Sequence, residues 1–398
     1  MQNKKSSHLE FIALMASLMS VVALAIDALL PALDVIGIAI GTTELADNQL
    51  LITMIFLGFG IGPMFFGPAS DSFGRKPLIY IGFSIFIVAS IICVFSQNMT
   101  VMIIGRILQG IGLSSPRILS IAIIRDKFNG DYMARMISFV TAVFLLVPII
   151  APALGKWVLD TYNWQGIFYV QILVSLLVTI WFWRRQPETL IPSHKKAFTL
   201  KVFNTGFREI FSNKITMGYT IVLGLITGSF LVFLSSAQQI FQEQYGLKEA
   251  FPSIFAGLAI GIAVAILSNA SLVMRFGMHK IVGLAVMGFF VSSLVYVLLF
   301  HNTPNPTVWV AVGFFALQFF AVGFLFGNLR ALAMEPVGHI AGIGAAITGL
   351  ISTLMAVPIS TYIGSFVTTT ALPLFLGFLV CSGLSLVFVY YLGRFTTK

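Results

Sequence analysis

An all-α, polytopic membrane protein is predicted by three observations: the residue balance, the recurrence of apolar runs, and the placement of the basic residues. Of 398 residues, 58% are hydrophobic and only 9% charged, with 38 phenylalanines and a mean hydropathy of +0.98. Soluble domains carry about 45–50% apolar and about 25% charged residues. Apolar runs of about 20 residues, each long enough to cross a ~30 Å hydrocarbon core as a helix, recur along the whole chain. Lys and Arg gather in alternate connections between these runs, which orients the spans.

About twelve spans follow in order. The first, 11–33, is too long for a cleavable signal and lacks a small-x-small site at its end. The second, 49–69, runs into the charged turn GPASDSFGRKP (67–77). The third, 78–95, contains IGFSIFIVASIICVF, which does not alternate as a transmembrane strand would. The fourth, 100–124, carries Arg106 and Arg117; the fifth, 136–157, is punctuated by Pro148, Pro152 and Gly155; the sixth, 164–183, stops at Arg184 and Arg185. A polar connection over 184–213, with a short amphipathic helix near 198–211, then divides the chain. Spans at 214–236, 251–272, 280–300, 308–330, 340–362 and 372–393 complete the second half. The expected organisation is a six-helix bundle over 1–183, a cytoplasmic linker over 184–213 and a second bundle over 214–398.

With the N-terminus inside, 19 of the 23 Lys and Arg fall in inner segments, among them Lys4, Lys5, Lys196 and Lys398. The outer loops hold only Lys156 and Lys248. An even number of spans with both termini cytoplasmic satisfies this bias. The same dispersal accounts for the net charge of +9 without nucleic acid, whose binding would gather the cations in one patch. Cys93 and Cys381 lie in apolar spans of different halves, with no disulfide or metal-ligand spacing, and no cofactor is expected.

Charge inside the bilayer is costly and faces a bundle interior or a wet cavity, so it marks function. The candidates are Asp27 in the first span and Arg106 and Arg117 in the fourth. At 1.5 Å per residue, Asp27 lies ~7.5 Å and Arg106 ~9 Å outward of their span midpoints. This matching depth allows them to pair. Asp34 returns to the face of Asp27 and Arg117 to the face of Arg106, each within about 20°. Gln109 lies one turn from Arg106. The remaining acids, and all five histidines, map to loops or span ends, leaving Asp27 as the best proton carrier. The structural alternative is a fixed ion pair holding two helices, although apolar packing usually serves that end as well.

Backbone breakers give a second signal. Pro148, Pro152 and Gly155 share a face of the fifth span and suit a helix that bends or packs closely; simple packing is the alternative. In the turn at 67–77, Gly67 and Gly74 permit close packing and a tight turn, and Arg75 and Lys76 fix topology. Asp71 is placed to accept from Arg75 or from a helix N-terminus, and such contacts would latch the two halves on the cytoplasmic side. SFGRKPLI (72–79) is echoed by RFGMHKIV (275–282), with Met274 at the position of Asp71. Either this is a chance Phe-Gly pair or the chain holds two parallel repeats of the kind transporters rock about a shared site. Polar groups that suit a cavity in the second half are Gln238, Gln239, Gln318 and Asn328.

No H-E-x-x-H, G-x-S-x-G or Cys/His spacing supports a membrane enzyme, and no filter-like motif supports a channel. Import of a small metabolite by uniport or proton symport remains a second transporter reading.

Together these residues resemble the major facilitator superfamily, and within it the drug:proton antiporters of the Bcr/CflA type. GPASDSFGRKP is similar to the family's loop signature G-x-x-x-D-x-x-G-R-[KR], through Gly67, Asp71, Gly74, Arg75 and Lys76. RILQGIG (106–112) resembles the fourth-span R-x-x-Q-G-x-G motif, and IRD (124–126) closes that helix. IDALLPAL (26–33) and NLRALAMEPVGHIAGIGAA (328–346) resemble stretches that mark the subfamily. The resemblance implies a monomer in the bacterial inner membrane that exports small molecules against protons by alternating access. It also implies coupling and substrate roles at Asp27 and a coupling role at Arg106. Two departures add positive charge: Lys156 closes APALGK where the family has glycine, and Arg117 stands where the subfamily usually lacks arginine. They imply a preference for anionic or zwitterionic substrates.

Overall fold

Hydrocarbon offers no partner to a backbone amide, so a spanning segment must satisfy its own hydrogen bonds and the long apolar runs become helices. A computed structural model describes residues 8–42, 45–195 and 200–396, and no strand occurs among the described residues. Lys4, Lys5, Lys196 and Lys398 lie outside the described residues. Eleven helical stretches among those residues are long and apolar enough to cross a membrane. The longest, Val308–Gly364, is two helices joined by a 3-10 turn at Glu335–Ile340, where Val337 leaves helical φ/ψ, so twelve spans result.

The chain divides into two units, Met1–Thr42 with Met54–Thr199, and Thr43–Thr53 with Leu200–Lys398. The helices of the N-terminal half are α1 (His8–Asp27), α2 (Leu33–Ala39), α3 (Leu50–Phe73), α4 (Arg75–Val94), α5 (Met99–Lys127), α6 (Gly130–Leu145), α7 (Val147–Thr161) and α8 (Trp164–Arg185). Within the first unit, α1 packs against α5, α6, α7 and α8, while α4 packs along α5. Small residues let backbones meet, as membrane helices require in the absence of a hydrophobic drive between them. A Cβ added to Gly110 of α5 would stand 2.0 Å from the Ile55 carbonyl oxygen of α3. One added to Gly82 of α4 would stand 2.6 Å from the Gly112 carbonyl oxygen.

Two breaks in this unit have the same cause. Proline lacks the N–H that would bond four residues back, and its ring crowds that carbonyl. Pro31 accordingly ends α1 at Asp27, and a 3-10 turn at Leu30–Ala32 leads into α2. Pro148 splits the fifth span at Leu146 into α6 and α7, where a bend in one continuous helix was expected. Pro152 stays inside α7.

The C-terminal half contains α9 (Leu200–Ser212), α10 (Lys214–Gln238), α11 (Phe251–Phe276), α12 (Met278–Phe300), α13 (Val308–Met334), α14 (Ala341–Gly364) and α15 (Leu372–Thr396). The amphipathic helix expected near 198–211 is α9. The seventh span runs beyond its expected end, because α10 continues as a π-helical turn at Gln239–Gln244. Buried phenylalanines fill this unit: the Phe233 ring lies 4.4 Å from Phe319 and 5.0 Å from Phe315.

The two halves repeat locally. Gly74 before α4 and Gly277 before α12 both take positive φ, +107° and +78°, which only glycine adopts at little cost. Ser90 of α4 donates to the Phe86 carbonyl and Ser293 of α12 to that of Phe289, both at 2.7 Å. Gln109 of α5 donates to Ser90 Oγ at 2.7 Å, and Gln318 of α13 to Ser293 Oγ at 2.8 Å. Three residues before each glutamine the units diverge: the first has Arg106, the second Phe315.

Candidate functional site

The end of α1 gathers a buried acid and a buried arginine. Because the helix stops at Asp27, the Leu29 N–H turns to the Ile26 carbonyl at 3.3 Å and leaves the Ala25 carbonyl without its helical donor. Arg106, fully buried in α5, donates from Nη1 to that carbonyl at 3.1 Å and to Gln109 Oε1 at 2.7 Å. Gln109 in turn donates to Ser90. A chain of bonds thus runs from the break in α1 through Arg106 and Gln109 to α4. The expected pairing of Asp27 with Arg106 does not form: no ion pair among the described residues includes Asp27, and the guanidinium holds the backbone two residues earlier. Asp27 remains buried, with 6% exposure, at the last residue of α1.

The fifth span is pressed against the same break. A Cβ on Gly155 of α7 would stand 1.9 Å from the Ala28 carbonyl oxygen and 2.9 Å from its Cα. Any larger residue there displaces the backbone that positions Asp27. Lys156 is bonded to Asp160 at 2.9 Å, one turn on, so the charge it brings to the rim is locally neutralised. Asp34 lies in the first turn of α2, half-buried. Arg117, also half-buried, places its guanidinium 5.6 Å from the centre of the Phe59 ring, a cation–π contact between α5 and α3.

In the turn at 67–77, Arg75 reaches three groups: Asp71 Oδ1, Ser70 Oγ at 2.7 Å and Asp126 Oδ2 at 3.0 Å. The N-terminus of α4 is capped by Glu188, whose carboxylate accepts from the N–H groups of Arg75 and Lys76 at 3.0 Å each, rather than by Asp71. Lys76 Nζ donates to the Trp183 carbonyl at 3.1 Å, and Thr189 Oγ1 to Asp126 Oδ2 at 2.9 Å. All these partners belong to the first unit, and they tie the turn to the ends of α5 and α8. Gly74 touches the Glu188 carboxylate, a Cβ there meeting Oε2 at 2.6 Å, but a Cβ on Gly67 would meet nothing within 4 Å. Close packing at Gly67 is therefore not found. Burial pushes the Glu188 carboxyl up, yet the N–H donors of Leu190, Lys76, Arg75 and Thr189 more than offset it and hold the group below the usual carboxylate value.

In the second unit, Gln238 and Gln239 flank the start of the π turn. Gln238 donates to Gln242 Oε1 at 3.3 Å, while Gln49 donates to Gln239 Oε1 at 2.8 Å and to the Gly364 carbonyl at 3.1 Å. Such π segments recur at functional sites. Gln318 and Asn328 serve helix contacts: Gln318 bonds Ser293, and Asn328 Nδ2 donates to Asn269 Oδ1 at 2.8 Å. Sequence reasoning passed over Glu188, Asp126, Gln49, Ser90 and Asn269. Only Asp126 had a local signal, as the last residue of IRD; the others gain meaning through partners 19 to 315 positions away.

The chain matches the family model of the Major Facilitator Superfamily over residues 12–359. It is 27% identical over 332 residues to the uncharacterized MFS-type transporter YdgK of Bacillus subtilis (strain 168), covering 82% of this chain and 81% of that one. It is 25% identical over 352 residues to the bicyclomycin resistance protein homolog of Haemophilus influenzae, covering 86% of each. Among solved structures, a variant of the nucleoside transporter NupG shares the fold with a TM-score of 0.71 at 11% identity, over 97% of this chain and 99% of that one. With its twelve apolar helices and its repeated halves, this chain belongs to the Major Facilitator Superfamily: it is a multi-pass membrane transporter of small molecules, not an enzyme.

Proposed function

We propose that this protein exports small molecules across the bacterial inner membrane in exchange for protons, with both termini cytoplasmic and one chain sufficient for transport. The observation that carries this reading is the buried Asp27 carboxyl at a helix break, beside the Arg106–Gln109–Ser90 chain. A carboxyl sealed from water changes charge only when its surroundings change, which links protonation to rearrangement of the break. Asp27 carries the proton; Arg106 holds the carbonyl that sets where Asp27 stands. The relative named for bicyclomycin resistance supports efflux as the direction. The turn at 67–77, with Pro148, Pro152 and Gly155, supports the helix ends that move. With Lys156 neutralised by Asp160, the expected preference for anionic or zwitterionic substrates rests on Arg117. Gln238 and Gln239 are the second unit's candidate substrate contacts; Asp34 and Gln109 complete the first unit's set.

The test is flux in proteoliposomes under an imposed pH gradient, using a substrate found by panel in a strain lacking its own exporters. Wild type accumulates substrate against the gradient, and Asp27→Asn loses the gradient's effect while still exchanging substrate. Gradient-driven accumulation retained in Asp27→Asn sinks the role; transport toward the proton-poor side shows symport instead.

A further inference from the structure

The linker helix α9 has one face docked and another open. Gly206 meets Ile347 and Ile343 at the start of α14, with a Cβ placed 3.0 Å and 3.2 Å from their side chains, and Ile210 beside it is fully buried. These two isoleucines lie in the first turns of an apolar span, so α9 packs on the end of α14. Farther round the helix the half-buried Phe207 stacks on Phe211 at 6.3 Å and 21°, and Phe211 is 61% exposed. Arg208 is exposed about 60° round the helix from Phe211. Lys214, also exposed, follows at the head of α10. The helix's single acid, Glu209, is drawn to His339 in the 3-10 turn before α14.

The same pairing of apolar surface with cations recurs at the turn between α11 and α12. Met274 is 86% exposed, and Arg275 and Lys280 flank the Phe276 ring at 5.2 Å and 5.4 Å. In the first unit the matching turn is filled by the acids Asp71, Asp126 and Glu188. Here the turn's own residues, 274–280, include Arg275 and Lys280 and no acid.

We propose that the open face of α9 seats in the headgroup layer of the inner leaflet and takes anionic phospholipid there, Phe207 and Phe211 entering the acyl boundary while Arg208 and Lys214 hold the phosphates. Aromatic rings beside basic residues on a helix lying at the membrane boundary are the pattern of an interfacial anchor. Basic residues draw anionic headgroups over roughly a Debye length. A partner protein would instead meet an acid-poor, strongly basic rim level with the lipid. This inference is independent of what is transported.

The test places a fluorophore on Asn204→Cys, an exposed position of α9, in the full-length protein; the native Cys93 and Cys381 are buried. The labelled protein goes into nanodiscs of phosphatidylcholine alone or with phosphatidylglycerol. Quenching by a headgroup-level nitroxide lipid is compared with quenching by aqueous iodide. The expected result is lipid quenching that strengthens, and iodide access that falls, when phosphatidylglycerol is present. Arg208→Gln should weaken that preference about five-fold, and Lys214→Gln likewise. Phe207→Ser with Phe211→Ser should lose lipid quenching while the gel-filtration profile stays that of wild type. Full iodide access in both lipids, or a preference unchanged in the Arg208→Gln, Lys214→Gln double variant, overturns the proposal. Shielding from iodide without lipid quenching overturns it too, in favour of a protein on that face.

Discussion

Gly155 and Ala28 are in backbone contact: a single added carbon on the glycine would stand 1.9 Å from the alanine carbonyl oxygen. The fifth span is thereby fitted to the one place where α1 stops being a helix, one residue after Asp27. Neither the glycine nor the break is interpretable alone. Gly155→Ala must move backbone rather than a flexible side chain, and overpacking of this kind costs about 1–3 kcal/mol. The expected outcome is a lowered melting temperature in detergent and slowed transport, whereas Gly67→Ala, with open space around it, should leave both unchanged.

The repeated glutamines differ in what they bond. Gln109 bonds both Arg106 and Ser90, but Gln318 bonds Ser293, with Phe315 at the arginine's position. Gln109→Leu removes a bond to a buried cation, worth about 1.5–3 kcal/mol, and is expected to cut transport ten-fold or more. Gln318→Leu should cost under about 1 kcal/mol, the usual worth of a hydrogen bond between membrane helices, and leave transport near wild type. Equal losses in flux assays would contradict the asymmetry.

Glu188 makes the fold's resistance to acid measurable. Its carboxyl is held below the ordinary value, so its contribution is fully present above the unfolded pKa of about 4.3 and is lost as pH falls through the folded value. Glu188→Gln keeps the shape but turns an amide toward N–H donors that had a carboxylate. Its melting temperature should lie below wild type at neutral pH, and the two should converge as the pH is taken below about 4. A gap that stays constant across that range would show that the carboxylate's charge is not what caps α4.

The proposed substrate preference rests on Arg117. Its guanidinium lies over Phe59, between α5 and α3. Arg117→Ala is expected to reduce export of anionic or zwitterionic substrates while sparing cations. If neither class changes in a competition assay, the charge plays no part in substrate choice.

What the sequence determined by itself are the features that hydrocarbon enforces locally. The spans, the bias of the basic residues and the linker helix follow from apolar length and charge placement, whereas the break before Pro31 went unread and the fifth span was read as bent where Pro148 splits it. Arg106 and Asp27 stood out as candidates because charge at membrane depth is costly wherever the fold puts it. Tertiary structure decided what each charge touches. Arg106 holds the Ala25 carbonyl, freed by the break, although an acid lies two residues on. Lys156 is different, pairing one turn on within its own helix, but α4 is capped by a glutamate 112 or more positions away. Such partners depend on which backbones approach closely enough, and that is set by glycines meeting across helices, a relation that no single stretch of chain contains.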